Sequence, residues 1–226
     1  SVMDLTPLVA VAIGVGSLLV GWIVYDLMCK HLKQGYLFLV IGVVFLIGFA
    51  WFYSSVFSAR AAYIHFGALL GTIMAANVFF VIIPGQKAMV EAAKKGVLPS
   101  AELAKNAGMR SYHNNYFTLP VLFVMISNHF PSTFGNDYQW IVLLVISLGS
   151  AGIKHYLNLR EKEQLSVWVL PISIALLLAA AFVTAPKAVP QGECVEEVPF
   201  EQVQAIIQTR CITCHSEKPT DKIWKA

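Results

Sequence analysis

Long apolar runs separated by short polar connections dominate the first 185 residues. A bilayer core about 30 Å thick takes about 20 apolar residues of helix at about 1.5 Å rise each. Six runs approach that length: Pro7 to Met28, Tyr36 to Phe57, Ala61 to Pro84, Tyr116 to Phe130, Tyr138 to Leu157 and Leu165 to Ala185. The fourth is marginal by itself. The pattern predicts an all-α fold, a polytopic transmembrane helix bundle of six spans. Beyond it the character changes. Residues 186–198 hold Pro186, Pro190 and Gly192 among Glu193, Glu196 and Glu197, and read as a linker. From Pro199 onward, Phe200, Val203, Ile206 and Ile207 recur at helical spacing and predict a short amphipathic helix. The expected organisation is a bundle over 1–185, a linker over 186–198 and the beginning of a second domain over 199–226.

Composition agrees, since 57% of the residues are hydrophobic and only 13% charged. This excludes an ordinary soluble domain and a nucleic-acid binder, and makes membrane lipid the default surrounding. The first run has no basic segment before it and no small-residue cleavage site after it, so it is not read as a cleaved signal. Basic residues near span ends orient a membrane protein. Lys30, Lys33, Lys87, Lys94, Lys95, Lys105, Arg110, Lys154, Arg160 and Lys162 fall on one side of the alternating spans, against Arg60 alone on the other. The first side is expected to be cytoplasmic. The sixth span then exits outward, which places the C-terminal segment in the periplasm of a bacterial inner-membrane protein.

That segment carries Cys211-Ile-Thr-Cys214-His215. The spacing supplies two thiols for thioether bonds to haem vinyl groups and an adjacent axial imidazole, so Cys211 and Cys214 are the expected attachments of a covalent haem c and His215 its iron ligand. A redox pair or half of a zinc site is the alternative, but zinc wants a second ligand pair and none follows His215. Neither Met nor His follows as a distal ligand either. The cytochrome domain is therefore expected to continue past Ala226, the alternative being an open iron. Ser1 in place of an initiator Met suggests the same of the other end. Cys29 and Cys194 sit on opposite sides and read as ordinary residues.

Ionisable groups inside spans are costly, which makes each a candidate for function. His65, early in the third span, and His129, at the end of the fourth, share a depth on the outer side. They either clamp a haem b or another metal, or are satisfied by hydrogen bonds within the bundle, the reading favoured here. His113 and His155 lie toward the cytoplasmic ends of their spans, and His31 falls in a basic turn. His113 and His129 cannot share an iron on one continuous helix, since sixteen residues span about 24 Å. Asn77 and Gln86, around Pro84-Gly85, are further candidates, as are the polar residues from Ser111 to Thr118; helix capping is the competing explanation. Gly67, Gly71 and Ala75 form a small-residue stripe that suits close helix approach.

Several blocks are more specific: Gly71-Thr-Ile-Met-Ala-Ala-Asn-Val-Phe-Phe80, Ile83-Pro-Gly-Gln-Lys87, His113-Asn-Asn-Tyr-Phe-Thr-Leu-Pro120 and Ser127-Asn-His129, with Gly21-Trp22, Tyr25-Asp26 and Arg60-Ala-Ala62. Together with Cys211 to His215, they resemble the bacterial membrane-bound urate oxidase (urate hydroxylase) family fused to a cytochrome c. The resemblance implies further spans before Ser1 and a complete cytochrome domain after Ala226. It also implies oxidation of urate to 5-hydroxyisourate in purine degradation, with electrons leaving through haem c toward a soluble cytochrome c or a terminal oxidase. The resemblance does not say which residues bind urate.

Two other classes fit the same hydropathy. One is a non-catalytic membrane-anchored c-type cytochrome subunit within a larger respiratory or photosynthetic complex, and the other a transporter-like bundle with a redox sensor attached. The expected substrate side is the outer one, near His65 and His129, where Arg60 attracts the urate anion. The competing placement is Gln86, His113, Asn114 and Asn115, which suits urate made inside the cell but requires electrons to cross the bilayer.

Overall fold

The structure is a computed structural model that describes residues 3, 5–164, 166–185 and 199–210. The chain divides into two units, Ser1–Pro186 and Lys187–Ala226. Among the described residues every regular element is helical. In the first unit α1 (Pro7–His31), α2 (Tyr36–Val56) and α3 (Ala59–Asn77) follow one another with short turns, and α3 runs through a π-helical turn (Val78–Ile82) into α4 (Ile83–Lys94). Then come α5 (Ala101–Ile126), a 3-10 turn (Ser127–His129), the short α6 (Pro131–Phe134), α7 (Gln139–Glu161) and α8 (Val169–Val183). In the second unit α9 (Phe200–Arg210) lies where the spacing predicts an amphipathic helix.

Length and apolar content suit four helices to crossing a membrane: Pro7–His31, Tyr36–Val56, the continuous 36-residue Ala59–Lys94, and Gln139–Glu161. The other two expected spans are helical but differ from the expectation. The fourth is the second half of a 26-residue helix whose first half is polar. The sixth has a 15-residue helix, about 22 Å long. Leu8, Leu37, Val167, Leu178 and Phe182 stand 63% or more exposed, far more apolar surface than water tolerates. The solvent that suits this surface is lipid.

The core lies around α3, whose Tyr63, Phe66, Leu69 and Ile73 are wholly buried against α1, α2 and α5, with Leu143 and Leu144 of α7 in the same cluster. Only part of the expected small-residue stripe makes a close approach. A Cβ on Gly67 would come within 2.5 Å of Val124 on α5, whereas one on Gly71 would meet open space. Gly67→Ala is therefore expected to push α3 from α5 and cost about 1–3 kcal/mol, with Gly71→Ala near neutral; thermal unfolding of the two variants side by side measures the difference.

The π turn has a local cause. Pro84 lacks the N–H its turn needs, and its ring crowds the carbonyl four residues back. Widening the preceding turn accommodates the ring without breaking the helix, and the N–H of Ile83 reaches back to the Val78 carbonyl. The irregularity begins immediately after Asn77, which it holds at the centre of the polar cluster.

Candidate functional site

Helical spacing assembles that cluster. On α1, Tyr25 and Cys29, and likewise Asp26 and Lys30, are four apart and share a face; on α5, so do Arg110, His113 and Asn114. Both sets meet Asn77 at the end of the bundle that carries most basic residues, the basic end. Arg110 is 1% exposed. A buried guanidinium costs several kcal/mol unless paired, and here it donates to Asp26 Oδ1 at 2.6 Å and to Asn77 Oδ1 at 3.1 Å. Its charge also lies 5.2 Å above the Tyr25 ring. Lys30 bonds the second carboxylate oxygen of Asp26 at 2.7 Å, from a more exposed position.

The donors and acceptors fix one another in sequence. Because Asn77 accepts from Arg110, its amide nitrogen is the donor, to Tyr25 Oη at 3.1 Å and to Asn114 Oδ1 at 2.9 Å. Asn114 in turn donates to the Met74 carbonyl at 3.0 Å, beside the π turn. The Tyr25 hydroxyl proton is then free to point at His113 Nδ1, 2.8 Å away. With Nδ1 accepting, the imidazole proton resides on Nε2, which faces Gln34 Oε1 at a loose 3.3 Å. The Cys29 thiol lies 3.9 Å from the same Nδ1, and Phe38 stacks on the ring with centroids 5.1 Å apart. His113 is thus held in one tautomer, presenting an N–H away from the network.

That N–H borders a cavity of about 390 Å³. Its walls come chiefly from α2, α5 and α7 and are mostly apolar, including Phe38, Val43, Leu46, Phe117 and Leu144; among the described residues no Asp, Glu, Lys or Arg lines it. The polar groups cluster at one end, where Gln34, Tyr112, His113 and Tyr116 meet. Deeper in the wall Ser147 is buried with its hydroxyl unpartnered. Pro120 also lines the cavity and, having no N–H, frees the Tyr116 carbonyl from its usual helical partner. A second set of contacts joins α5 to α7, Tyr116 Oη to His155 Nδ1 at 2.6 Å and Asn115 to Asn158 at 2.8 Å, and within α5 the Tyr112 hydroxyl lies 3.0 Å from that of Tyr116.

The expected residues divide among these places. His113, Asn114 and Asn77 come together, with Asn115 one face over toward α7. Gln86 is exposed on α4 and does not join them. His65 donates Nδ1 to the Ala61 carbonyl at 2.8 Å, stacks on Phe57 at 4.2 Å and packs against Gly14 of α1. His129 is exposed on the 3-10 turn after α5. Gly67, two residues and about 200° around α3 from His65, is the position that contacts α5. His65 therefore faces α1 and α2 rather than the helix that leads to His129, and the structure does not bring the two histidines together. Arg60 Nε bonds Asn128 at 2.9 Å, beside His129. Among the described residues no group of three His, Cys, Asp or Glu is placed to hold a metal. Cys211, Cys214 and His215 lie outside the described residues, as does Cys194.

Sequence reasoning overlooked Tyr25, Asp26, Gln34 and Arg110 as members of one network. Arg110 in particular was counted among the charges at the membrane surface, whereas it is buried. The available signal was its spacing of three and four residues from His113 and Asn114, matched by an acid placed within the last turns of the apolar α1.

No curated protein and no solved structure matches the chain. A family model, urate oxidase N-terminal, matches residues 1–185. That match spans the whole membrane bundle, the network around His113 included, and the chain belongs to the urate oxidase N-terminal family.

Proposed function

We propose that this chain is the membrane portion of a urate oxidoreductase, which converts urate to 5-hydroxyisourate and delivers the electrons to a covalent haem c at Cys211, Cys214 and His215. The observation that carries the proposal is the family match over residues 1–185, to which the haem-attachment spacing of the C-terminal segment adds a route for electrons. The haem supplies one-electron acceptance. In this reading α5 and α8 complete a six-span bundle in a bacterial inner membrane, with the basic end cytoplasmic and the haem segment periplasmic. A soluble cytochrome c or a terminal oxidase takes the electrons onward.

The chemistry is placed at the basic end, around His113. Oxidation with addition of water releases two protons and two electrons, so the site needs a group that moves protons. His113 is suited to this because Tyr25 backs its Nδ1 while Nε2 faces Gln34 and the adjoining cavity; a proton passing at one nitrogen is matched at the other. Lys30 and Lys33, near Gln34 in sequence, give the mouth a positive field for the urate anion. This favours the cytoplasmic placement over the outer one, since at the outer end His65 is engaged by its own packing.

Membranes containing the full-length protein test the reading. Urate is expected to reduce a c-type cytochrome, seen as growth of its reduced absorption bands, while xanthine does not. Cys214→Ser is expected to abolish haem-dependent staining of the chain on denaturing gels. Equal reduction by xanthine, or staining that survives loss of both Cys211 and Cys214, contradicts the proposal.

A further inference from the structure

The cavity beside His113 differs chemically from a site for a purine anion. Urate carries a charge and hydrogen-bonding groups around its whole edge, and each buried without a partner costs on the order of 1–3 kcal/mol. Among the described residues the cavity offers no charged side chain, and apart from the Ser147 hydroxyl deeper in the wall its polar groups sit at one end. It also gives sideways onto the apolar surface, because Leu39, Ile47 and Leu148 line it while being 61%, 40% and 43% exposed. A ligand that suits these walls is neutral, flat at one end, able to accept hydrogen bonds there, apolar elsewhere and soluble in lipid.

We infer that the cavity binds a lipid-soluble quinone, its ring at the His113 end and its tail running between α2, α5 and α7 toward lipid. One ring carbonyl accepts from His113 Nε2–H, replacing the loose 3.3 Å contact to Gln34. Phe38, already stacked on the His113 ring, and Tyr116 border the ring, while Val43, Leu46 and Phe117 flank the tail. The inference rests on the proposed urate chemistry for its electron source. The balanced step is urate plus water plus quinone giving 5-hydroxyisourate plus quinol: two electrons and two protons leave the hydrated purine and appear on the two quinone oxygens. His113 passes one of those protons from Nε2 to the nearer oxygen, Tyr25 refills Nδ1 and regains its own proton from the purine's release, and the second proton follows onto the other oxygen by way of water. A carrier soluble in lipid also removes the difficulty of urate oxidised at one face and haem at the other, because the quinol moves its electron pair across the bilayer.

Two glycines of α2 make a selective test. Gly42 lines this cavity and Gly48 lines a groove with Ala12 and Phe52; neither has an atom within 4 Å of the Cβ position, so a side chain can leave the helix at both without a clash at its first carbon. Full-length protein in nanodiscs is photolabelled with an azido derivative of decylubiquinone, and the labelled peptides are mapped. Labelling is expected within residues 34–47 or 112–120, suppressed by excess decylubiquinone but not by decylbenzene. Gly42→Phe is expected to reduce it at least tenfold and Gly48→Phe to leave it unchanged. Labelling that Gly42→Phe does not diminish, that maps elsewhere, or that decylbenzene suppresses equally, overturns the inference. The assay contains no urate, so it separates the two readings. Labelled protein that fails to oxidise urate contradicts the enzymatic proposal alone, and protein that oxidises urate without labelling contradicts the quinone site alone.

Discussion

Asp26→Leu is expected to be among the most damaging single substitutions in the bundle, lowering stability by about 3–5 kcal/mol. The reason is the neighbour it abandons. Arg110 is 1% exposed and its only carboxylate partner among the described residues is Asp26, so the variant leaves a guanidinium buried with one amide acceptor. Arg110→Leu should cost less, because Asp26 keeps Lys30 at its other oxygen. The double variant Asp26→Leu, Arg110→Leu should be more stable than Asp26→Leu alone, since no uncompensated charge stays inside. Arg110→Lys should not restore the wild type, as an ammonium cannot reproduce the fork that reaches Asp26 and Asn77 together. Thermal unfolding of the four proteins in the same detergent measures this cycle, and additive losses would show that the pair is not coupled.

The second large effect is expected at His113. His113→Ala should lower urate-dependent haem reduction by about 100-fold or more, the usual contribution of a positioned acid–base group, while c-type haem content stays at the wild-type level. Tyr25→Phe removes only the hydroxyl that fixes the imidazole tautomer, so its loss should be smaller and fall in the rate rather than in haem content. His65→Ala and His129→Ala should leave the rate within a few-fold of wild type, because neither residue contacts the network. If those two variants eliminated reduction and His113→Ala did not, the chemistry would belong at the opposite end of the bundle.

Much of the fold was legible because one signal dominates: a run of about 20 apolar residues has few alternatives to a membrane-length helix. The first two runs and the fifth became helices near their expected bounds, while the third continues as helix past its expected end at Pro84 to Lys94. The fourth did not show its full extent, because the turn-by-turn polarity of Ala101 to Asn115 masks a helix that continues unbroken into apolar sequence. The candidate site was half legible. His113, Asn77 and Asn114 stood out as polar residues in or next to spans, and the structure does bring them together. Depth, by contrast, proved a poor guide to pairing. His65 and His129 fall at similar depths, but depth fixes only one coordinate, and the angle around α3 directs His65 to α1. The same limitation hid Arg110, for which a position near a span end suits either a surface charge or a buried one. What separated the two was Asp26 on another helix, 84 residues away in sequence.

The most direct measurement is urate loss itself, followed by its ultraviolet absorbance in sealed inside-out membrane vesicles, which in the proposed orientation expose the basic end to the added substrate. Vesicles carrying the full-length wild-type protein should consume urate and form 5-hydroxyisourate, whereas vesicles carrying His113→Ala or lacking the protein should not. Equal consumption in vesicles without the protein, or none in those with it, would contradict the assignment of urate oxidation to this bundle.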